Sequence, residues 1–202
     1  MLPLPFPCKG YLGERMQVAY VVHDLDAAMQ YWADVMKVGP FVVIEDSRGE
    51  RSVLHRGQES DVQFTLAFAY VGDVQIELIA QSNDAPSAYK EFLDSGREGL
   101  HHIAFWPEDM DGACALLEEN GFTEISAVLA HDGSRTVVYY QAPAHIGCVV
   151  ELLPMSAART AYYGRIQQLS KSWDGVTRPI RRFADRAAFL ASAEGAESAS
   201  LS

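Results

Sequence analysis

Gln17-Val-Ala-Tyr-Val-Val-His-Asp-Leu-Asp-Ala-Ala28 can be laid on His102-Ile-Ala-Phe-Trp-Pro-Glu-Asp-Met-Asp-Gly-Ala113 without a gap, at an offset of 102 − 17 = 85 residues. Each stretch reads as a strand running into a helix. An apolar run with β-branched or aromatic residues ends at Asp24 or Asp109, either of which can cap the helix that follows. Leu25, Ala28, Met29 and Trp32 then fall on one helical stripe, as do Met110, Ala113, Leu116 and Leu117. Gly39 and Gly121 stand where the two helices are expected to stop.

Working outward, each half offers three further extended segments. In the first half these are residues 41–45, 62–70 and 74–80; in the second, residues 123–129, 136–141 and 148–153. The last of them repeat as well, since Val74-Gln-Ile-Glu77-Leu-Ile matches Cys148-Val-Val-Glu151-Leu-Leu at an offset of 151 − 77 = 74. A shorter set of loops in the second half accounts for the change of offset. The expected fold is α+β: two paired β-α-β-β-β modules, about 15–82 and 98–155, forming a curled mixed sheet around a central cup. An N-terminal arm over 1–14, marked by Pro3, Pro5 and Pro7, precedes them. A C-terminal helical extension over 156–202 follows, with Tyr162, Ile166 and Leu169 on an amphipathic stripe and a last dozen residues that read as frayed.

The opening and closing strand of each module carry one potential ligand at an equivalent place: Gln17 and Glu77, then His102 and Glu151. Alternation puts Gln17, Ala19 and Val21 on one face and His102, Ala104 and Trp106 on its counterpart, with His101 pointing the other way. Small Ala19 and Ala104 leave room beside the ligands. Glu77 and Glu151 stand inside apolar strands, where an unpaired buried carboxylate costs several kcal/mol and calls for a metal or a basic partner. Two sheets curling about a pseudo-twofold axis would bring all four groups to one point, which suits a divalent ion.

Composition sets the outer bounds. With 202 residues, 49% hydrophobic and 21% charged, the chain is sized for one well-buried core. A formal charge of -11 argues against a nucleic-acid partner, which needs clustered Lys and Arg. The one dense basic run, Arg178, Arg181, Arg182 and Arg186, reads as a solvated face. No apolar run approaches a membrane span, and Met1 to Gly10 lacks the layout of a signal peptide, so a cytoplasmic protein is expected. Cys8, Cys114 and Cys148 are too scattered for a disulfide framework and read as small buried hydrophobes.

Between about Arg15 and Pro154 the sequence resembles the vicinal oxygen chelate superfamily, which includes glyoxalase I, methylmalonyl-CoA epimerase, extradiol dioxygenases and bleomycin-resistance proteins. The resemblance is carried by Gln17-Val-Ala-Tyr-Val-Val-His-Asp-Leu-Asp, Gln75-Ile-Glu77-Leu-Ile, Gly99-Leu-His-His102-Ile-Ala-Phe and Val150-Glu151-Leu-Leu-Pro, and it points to the glyoxalase and epimerase branch. It implies the same four metal ligands, paired modules and a homodimer. The aromatic C-terminal residues Tyr162, Tyr163, Trp173 and Phe183 fit a dimer seam. Two departures stand out. Val21 occupies the place of an arginine that in glyoxalase I holds a glutathione carboxylate, and residues 63–68 offer no second catalytic glutamate, so a two-base epimerisation would fall to Glu77.

One imidazole, one amide and two carboxylates favour Zn, Ni, Co or Mn with open coordination positions. A dioxygen-activating iron enzyme would want two His. The expected activity is that of a metal-dependent isomerase, epimerase or lyase acting through an enediolate on a small carbonyl or acyl-thioester substrate, with Glu151 the first candidate for base and Glu77 the second. The alternatives are a binding module of the bleomycin-resistance type and, less favoured, a ring-cleaving dioxygenase.

Overall fold

The computed structural model describes residues 12, 13 and 16–197. Pro3, Pro5, Pro7 and Cys8 lie outside the described residues. The first half contains β1 (Met16–Val21), α1 (Leu25–Asp34), β2 (Phe41–Ile44), β3 (Ser52–His55), β4 (Gln58–Ser60), β5 (Phe64–Val71) and β6 (Val74–Gln81). A short helix, α2 (Ala88–Asp94), leads to β7 (Gly99–Phe105), α3 (Met110–Glu119), β8 (Thr123–Leu129), β9 (Arg135–Gln141) and β10 (Val149–Leu152). The chain continues through α4 (Ala157–Ser172), β11 (Ile180–Phe183), α5 (Arg186–Ala191) and α6 (Ala193–Glu197).

Both repeat helices start as the sequence predicts. The Asp24 carboxylate accepts from the Ala27 amide at 2.9 Å and the Asp109 carboxylate from the Gly112 amide at 2.9 Å. Gly121, at φ +85°, follows the end of α3 as expected. Gly39 does not end α1, which stops at Asp34 with Val35 as its cap. Its lack of a side chain serves packing: a Cβ there would stand 2.9 Å from the Trp173 ring.

All strands join one mixed sheet in the order β11-β2-β5-β6-β1-β7-β10-β9-β8-β3-β4. The modules meet where β1 and β7 pair antiparallel, and each opening strand runs parallel to its own closing strand. The hairpin β3–β4 belongs to the first half of the chain but pairs with β8 of the second. Residues 45–51 alone must therefore carry the chain from β2, near one edge, to β3, near the other. Fully extended, those eight Cα steps reach about 28 Å, whereas eight strand spacings in a flat sheet measure about 38 Å. The sheet has to curl, and residues 45–51 form a strap across the resulting cup.

Three apolar clusters hold this shape. One packs α1 against β2, β5 and β6, and a second packs α3 against β8, β9 and β10. The third fills the concave side, where residues of α2, α4 and α5 meet the inner faces of both modules. Trp106 stacks on Tyr163 with ring centroids 4.9 Å apart, and Phe189 meets Tyr162 and Phe183 edge-on. Tyr162 and Tyr163 are thus buried in their own chain, Phe183 packs on Phe189, and Trp173 rests on Gly39. Trp173 and Phe183 remain partly exposed.

The C-terminal segment also departs from expectation. Periodicity missed β11, a four-residue polar strand that extends the sheet beyond β2. Arg178, Arg182 and Arg186 of the basic run are exposed, as expected of a solvated face, and Arg181 is half-buried. Arg182 pairs with Glu45 at 2.6 Å and with Asp26, Arg178 and Arg181 face Glu194, and the Arg186 guanidinium lies 4.1 Å above the Tyr162 ring. These contacts tie the segment to the domain. Of the last dozen residues, 193–197 are helical and 198–202 fall outside the described ones. Cys114 is buried, Cys148 half-buried, and both are free. Among the described residues no helix is long and apolar enough to cross a membrane.

If the segment after β10 completes the core, Phe189→Ala should lower the unfolding free energy by about 3–5 kcal/mol, as for other fully buried aromatics, while Val176→Ala, 76% exposed, should change it by less than about 0.5 kcal/mol. Urea unfolding of the full chain reads both. A loss below about 1 kcal/mol for Phe189→Ala would make the segment an appendage.

Candidate metal centre

The four sequence-predicted ligands come from the four central strands, and the register explains their convergence. In one row across the sheet Ala19 of β1 lies between Glu77 of β6 and His102 of β7; in the next, Ala104 of β7 lies between Gln17 of β1 and Glu151 of β10. The rows mirror each other about the β1–β7 axis. Each alanine is fully buried and leaves the volume into which its polar neighbours lean.

His102, Gln17, Glu151 and Glu77 are 0, 1, 3 and 5% exposed. The His102 Nε2 stands 3.1 Å from a Glu151 oxygen and 3.5 Å from a Glu77 oxygen. Gln17 Nε2 donates to that same Glu77 oxygen. One ligand atom each from Glu77, His102 and Glu151 lie within 4.8 Å of one another. Yet Nε2 of His102, Oε2 of Glu151 and Oε1 of Gln17 all lack a hydrogen-bond partner with acceptable geometry. Buried polar atoms rarely stay so, because each unmade bond costs about 1–3 kcal/mol. Glu77, His102 and Glu151 could hold a metal ion between them, and a set of one N and several O donors fits a divalent one.

The other face of His102 is held by His101, with the two Nδ1 atoms 2.9 Å apart. Simple alternation places His101 on the outside, but it is 3% exposed. The pairing of β1 with β7 skips a residue, Ala19 facing His102 and Tyr20 facing Leu100, so His101 is the extra residue of a bulge. Burial, followed by the neighbouring His102, lowers its pKa to about 3, so His101 stays neutral and can fix the ring and tautomer of His102.

Burial dominates the remaining electrostatics. It raises the Glu77 carboxyl to about 7, against the pull of His102. For His102 burial is also the largest influence and acts downward, but Glu151 and Glu77 together outweigh it and hold the imidazole at about 9.

Glu77 and Glu151 face a cavity of about 390 Å³, while Gln17 and His102 lie behind them, outside its lining. Phe64, Phe68, Leu153 and Tyr162 supply apolar walls, the strap with Arg51 crosses the mouth, and Arg159 of α4 closes the side. Two hydroxyls that sequence reasoning missed sit in the same lining, Tyr139 and Tyr89, 2.8 Å apart. Burial, with both carboxylates close by, keeps their pKa values far above normal, so both remain protonated donors. Tyr139 is opposite Glu151 on β9 just as Phe68 is opposite Glu77 on β5, so carrying the repeat one strand further would have found it. Nothing in the repeat points to Tyr89.

A model of the Glyoxalase/Bleomycin resistance protein/Dioxygenase superfamily matches residues 16–139. That is more than half of the 202 residues, and the chain belongs to this superfamily. No curated protein matches. Among solved structures, the chain is similar to hypothetical protein BH1468 from Bacillus halodurans C-125, at TM-score 0.53 and 20% identity, over 71% of this chain and 94% of that one. It is also similar to the methylmalonyl-CoA epimerase from Mycobacterium tuberculosis, at TM-score 0.49 and 21% identity, over 72% and 89% of the two chains. For a Streptomyces coelicolor methylmalonyl-CoA epimerase in complex with 2-nitronate-propionyl-CoA the values are 0.49, 21%, 70% and 96%. At 20% identity the first likeness speaks for the fold alone.

The metal-free centre should respond to pH in a definite direction. A His pKa raised to about 9 gives stability that is fully present below the ordinary value of 6.5 and lost as pH rises through about 9. Glu77, raised to about 7, adds to the loss below neutrality, where His101, lowered to about 3, acts in the opposite sense. The clean window is therefore pH 7 to 9. The melting temperature of chelator-treated protein should fall across it, and less so in His102→Ala. An equal, flat profile for both proteins would contradict the charged His102 flanked by two carboxylates.

Proposed function

We propose that the protein is a metal-dependent isomerase, epimerase or lyase that removes a proton from the carbon next to a carbonyl in a small carbonyl compound or acyl thioester. The observation that carries this reading is that, of the four convergent groups, the two carboxylates alone face the cavity. Gln17, Glu77, His102 and Glu151 would hold a zinc, nickel, cobalt or manganese ion, which when bound supplies a Lewis acid for the substrate carbonyl oxygen.

Glu151 is the first candidate for base. One of its oxygens has no hydrogen-bond partner, whereas the corresponding oxygen of Glu77 is held by Gln17. Glu77, on the other side of His102, is the second candidate and would return a proton to the opposite face in an epimerisation. Tyr139, kept protonated and backed by Tyr89, offers a donor to a substrate oxygen.

The aromatic lining supports a second reading, a non-catalytic binder of planar molecules. A single His at the centre disfavours a ring-cleaving dioxygenase. The homodimer implied by the family resemblance is kept as a proposal, to be read by light scattering, together with a cytoplasmic location.

Deuterium incorporation into 2-oxo, 2-hydroxyketone and acyl-CoA compounds, measured anaerobically with and without chelator, tests the activity. Exchange should require metal, and Glu151→Gln should slow it about a hundredfold or more while retaining most of the metal. Gln17→Glu, which keeps an oxygen donor, should preserve both. Saturable binding with no exchange across the panel would favour the binder, and turnover that consumes oxygen would favour the dioxygenase.

A further inference from the structure

We propose that the molecule bound in this cavity carries an oxyanion, a carboxylate or a phosphate, gripped by Arg51 and Arg159, in addition to the group that reacts at Glu77 and Glu151. The proposal deepens the reading above and takes its reacting end from it. The two arginines lie far apart in sequence, one where the strap enters β3, the other in the first turn of α4. The sheet brings them together. Ser52 pairs with Leu129, Leu129 with Arg135, and the next carbonyl, of Thr136, accepts from Arg159 at 3.1 Å. Both side chains line the cavity.

Both guanidiniums are half-buried and, among the described residues, held only by main-chain carbonyls. Arg51 donates through Nε to the Arg48 carbonyl at 3.0 Å and through Nη2 to the Ser47 carbonyl. Arg159 donates to the carbonyls of Pro154 and Thr136. Carbonyls fix the orientation of a guanidinium but bring no compensating charge, and each of these side chains has five donors to satisfy. Among the described residues no carboxylate lies within 4.0 Å of either. Asp46 and Asp185 also line the cavity, but their carboxylates accept from the Gly49 and Ala188 amides, and Glu50 is exposed.

Arg186, above the Tyr162 ring, lines the same space without a carboxylate partner among the described residues. Burial lowers the Arg159 pKa; the fields of Tyr163 and Glu151 raise it, and the smaller ones of Arg186 and Arg51 lower it, so all three cations bear on one region at the edge of the carboxylates. In a chain with a net charge of -11, where most other arginines are paired with acids, half-buried guanidiniums left over at a cavity wall are a recognition device for an external anion. Phe64, Phe68 and Tyr162 then select an apolar or aromatic body between the two ends. Arg159 and Arg186 also lie beyond the residues matched by the superfamily model, so this end of the cavity is a feature of the C-terminal segment of this chain.

The test is isothermal titration of the full chain, stripped of metal so that an acid cannot bind by coordinating an ion, with cinnamate, its neutral amide cinnamamide, and phenyl phosphate. At least one of the two acids should bind about tenfold or more tightly than the amide, and Arg51→Gln should bring that ratio near one. Arg159→Gln should do the same; because Arg159 also braces α4, its folding is checked by near-UV circular dichroism, and the wild-type and Arg51→Gln ratios stand without it. The preferred acid tells carboxylate from phosphate. Equal binding of acids and amide by the wild type, no binding of either acid, or an undiminished preference in Arg51→Gln would overturn the proposal. Loss of the exchange reaction with the acid preference intact would count against the proposed activity alone, and the reverse pattern against the anion site alone.

Discussion

Two carboxylates and one imidazole, buried together at the middle of the sheet, are the constraint on which this molecule depends. Glu77 and Glu151 stand on parallel partners of β1 and β7, flanking His102 from two sides. Desolvating three ionisable groups in one place costs several kcal/mol for each charge, and the pull of one imidazolium on two carboxylates returns only part of it. A divalent cation held by these groups would remove the conflict, replacing the proton on His102 and meeting both negative charges at once. The centre is thus an unstable arrangement as a stability element and a sensible one as a metal site.

The rest of the fold serves to keep that centre dry and open on one side. Pairing of β1 with β7 sets the ligand rows, and alanines at the crossing make space for them. The strap of residues 45–51 pulls the sheet into a cup because no flat sheet of this order could be spanned by so short a segment. Helix α4 and the residues that follow form the remaining wall, with Tyr162 and Tyr163 packed against Phe68 and Trp106. The bulge at His101 turns a residue expected at the surface into the support of a ligand.

Much of this was legible in the sequence because the chain repeats itself. Gln17 and His102, and Glu77 and Glu151, occupy equivalent places in segments whose alternation and caps are intact, so strand, face and the convergence of the four groups could be read together. What escaped had no such signal. The hairpin β3–β4 is short and polar, and its partner β8 lies some seventy residues on, a pairing that local pattern does not encode. The β11 segment, Ile-Arg-Arg-Phe, has two central arginines that hide an edge strand. His101 defeated alternation because a bulge breaks the period of two. The arginines of the cavity were invisible for a different reason: pairing between distant charges is a property of the folded surface, and the same residue type reads alike whether it is matched or left over.

The most direct test of the account is X-ray absorption at the zinc edge of the full chain loaded with one equivalent of zinc. A centre built from Gln17, Glu77, His102 and Glu151 should show zinc bound by one imidazole nitrogen and otherwise oxygen donors, with loss of the imidazole signature in His102→Ala. A sulfur ligand, a second imidazole, or an unchanged spectrum in that variant would contradict it.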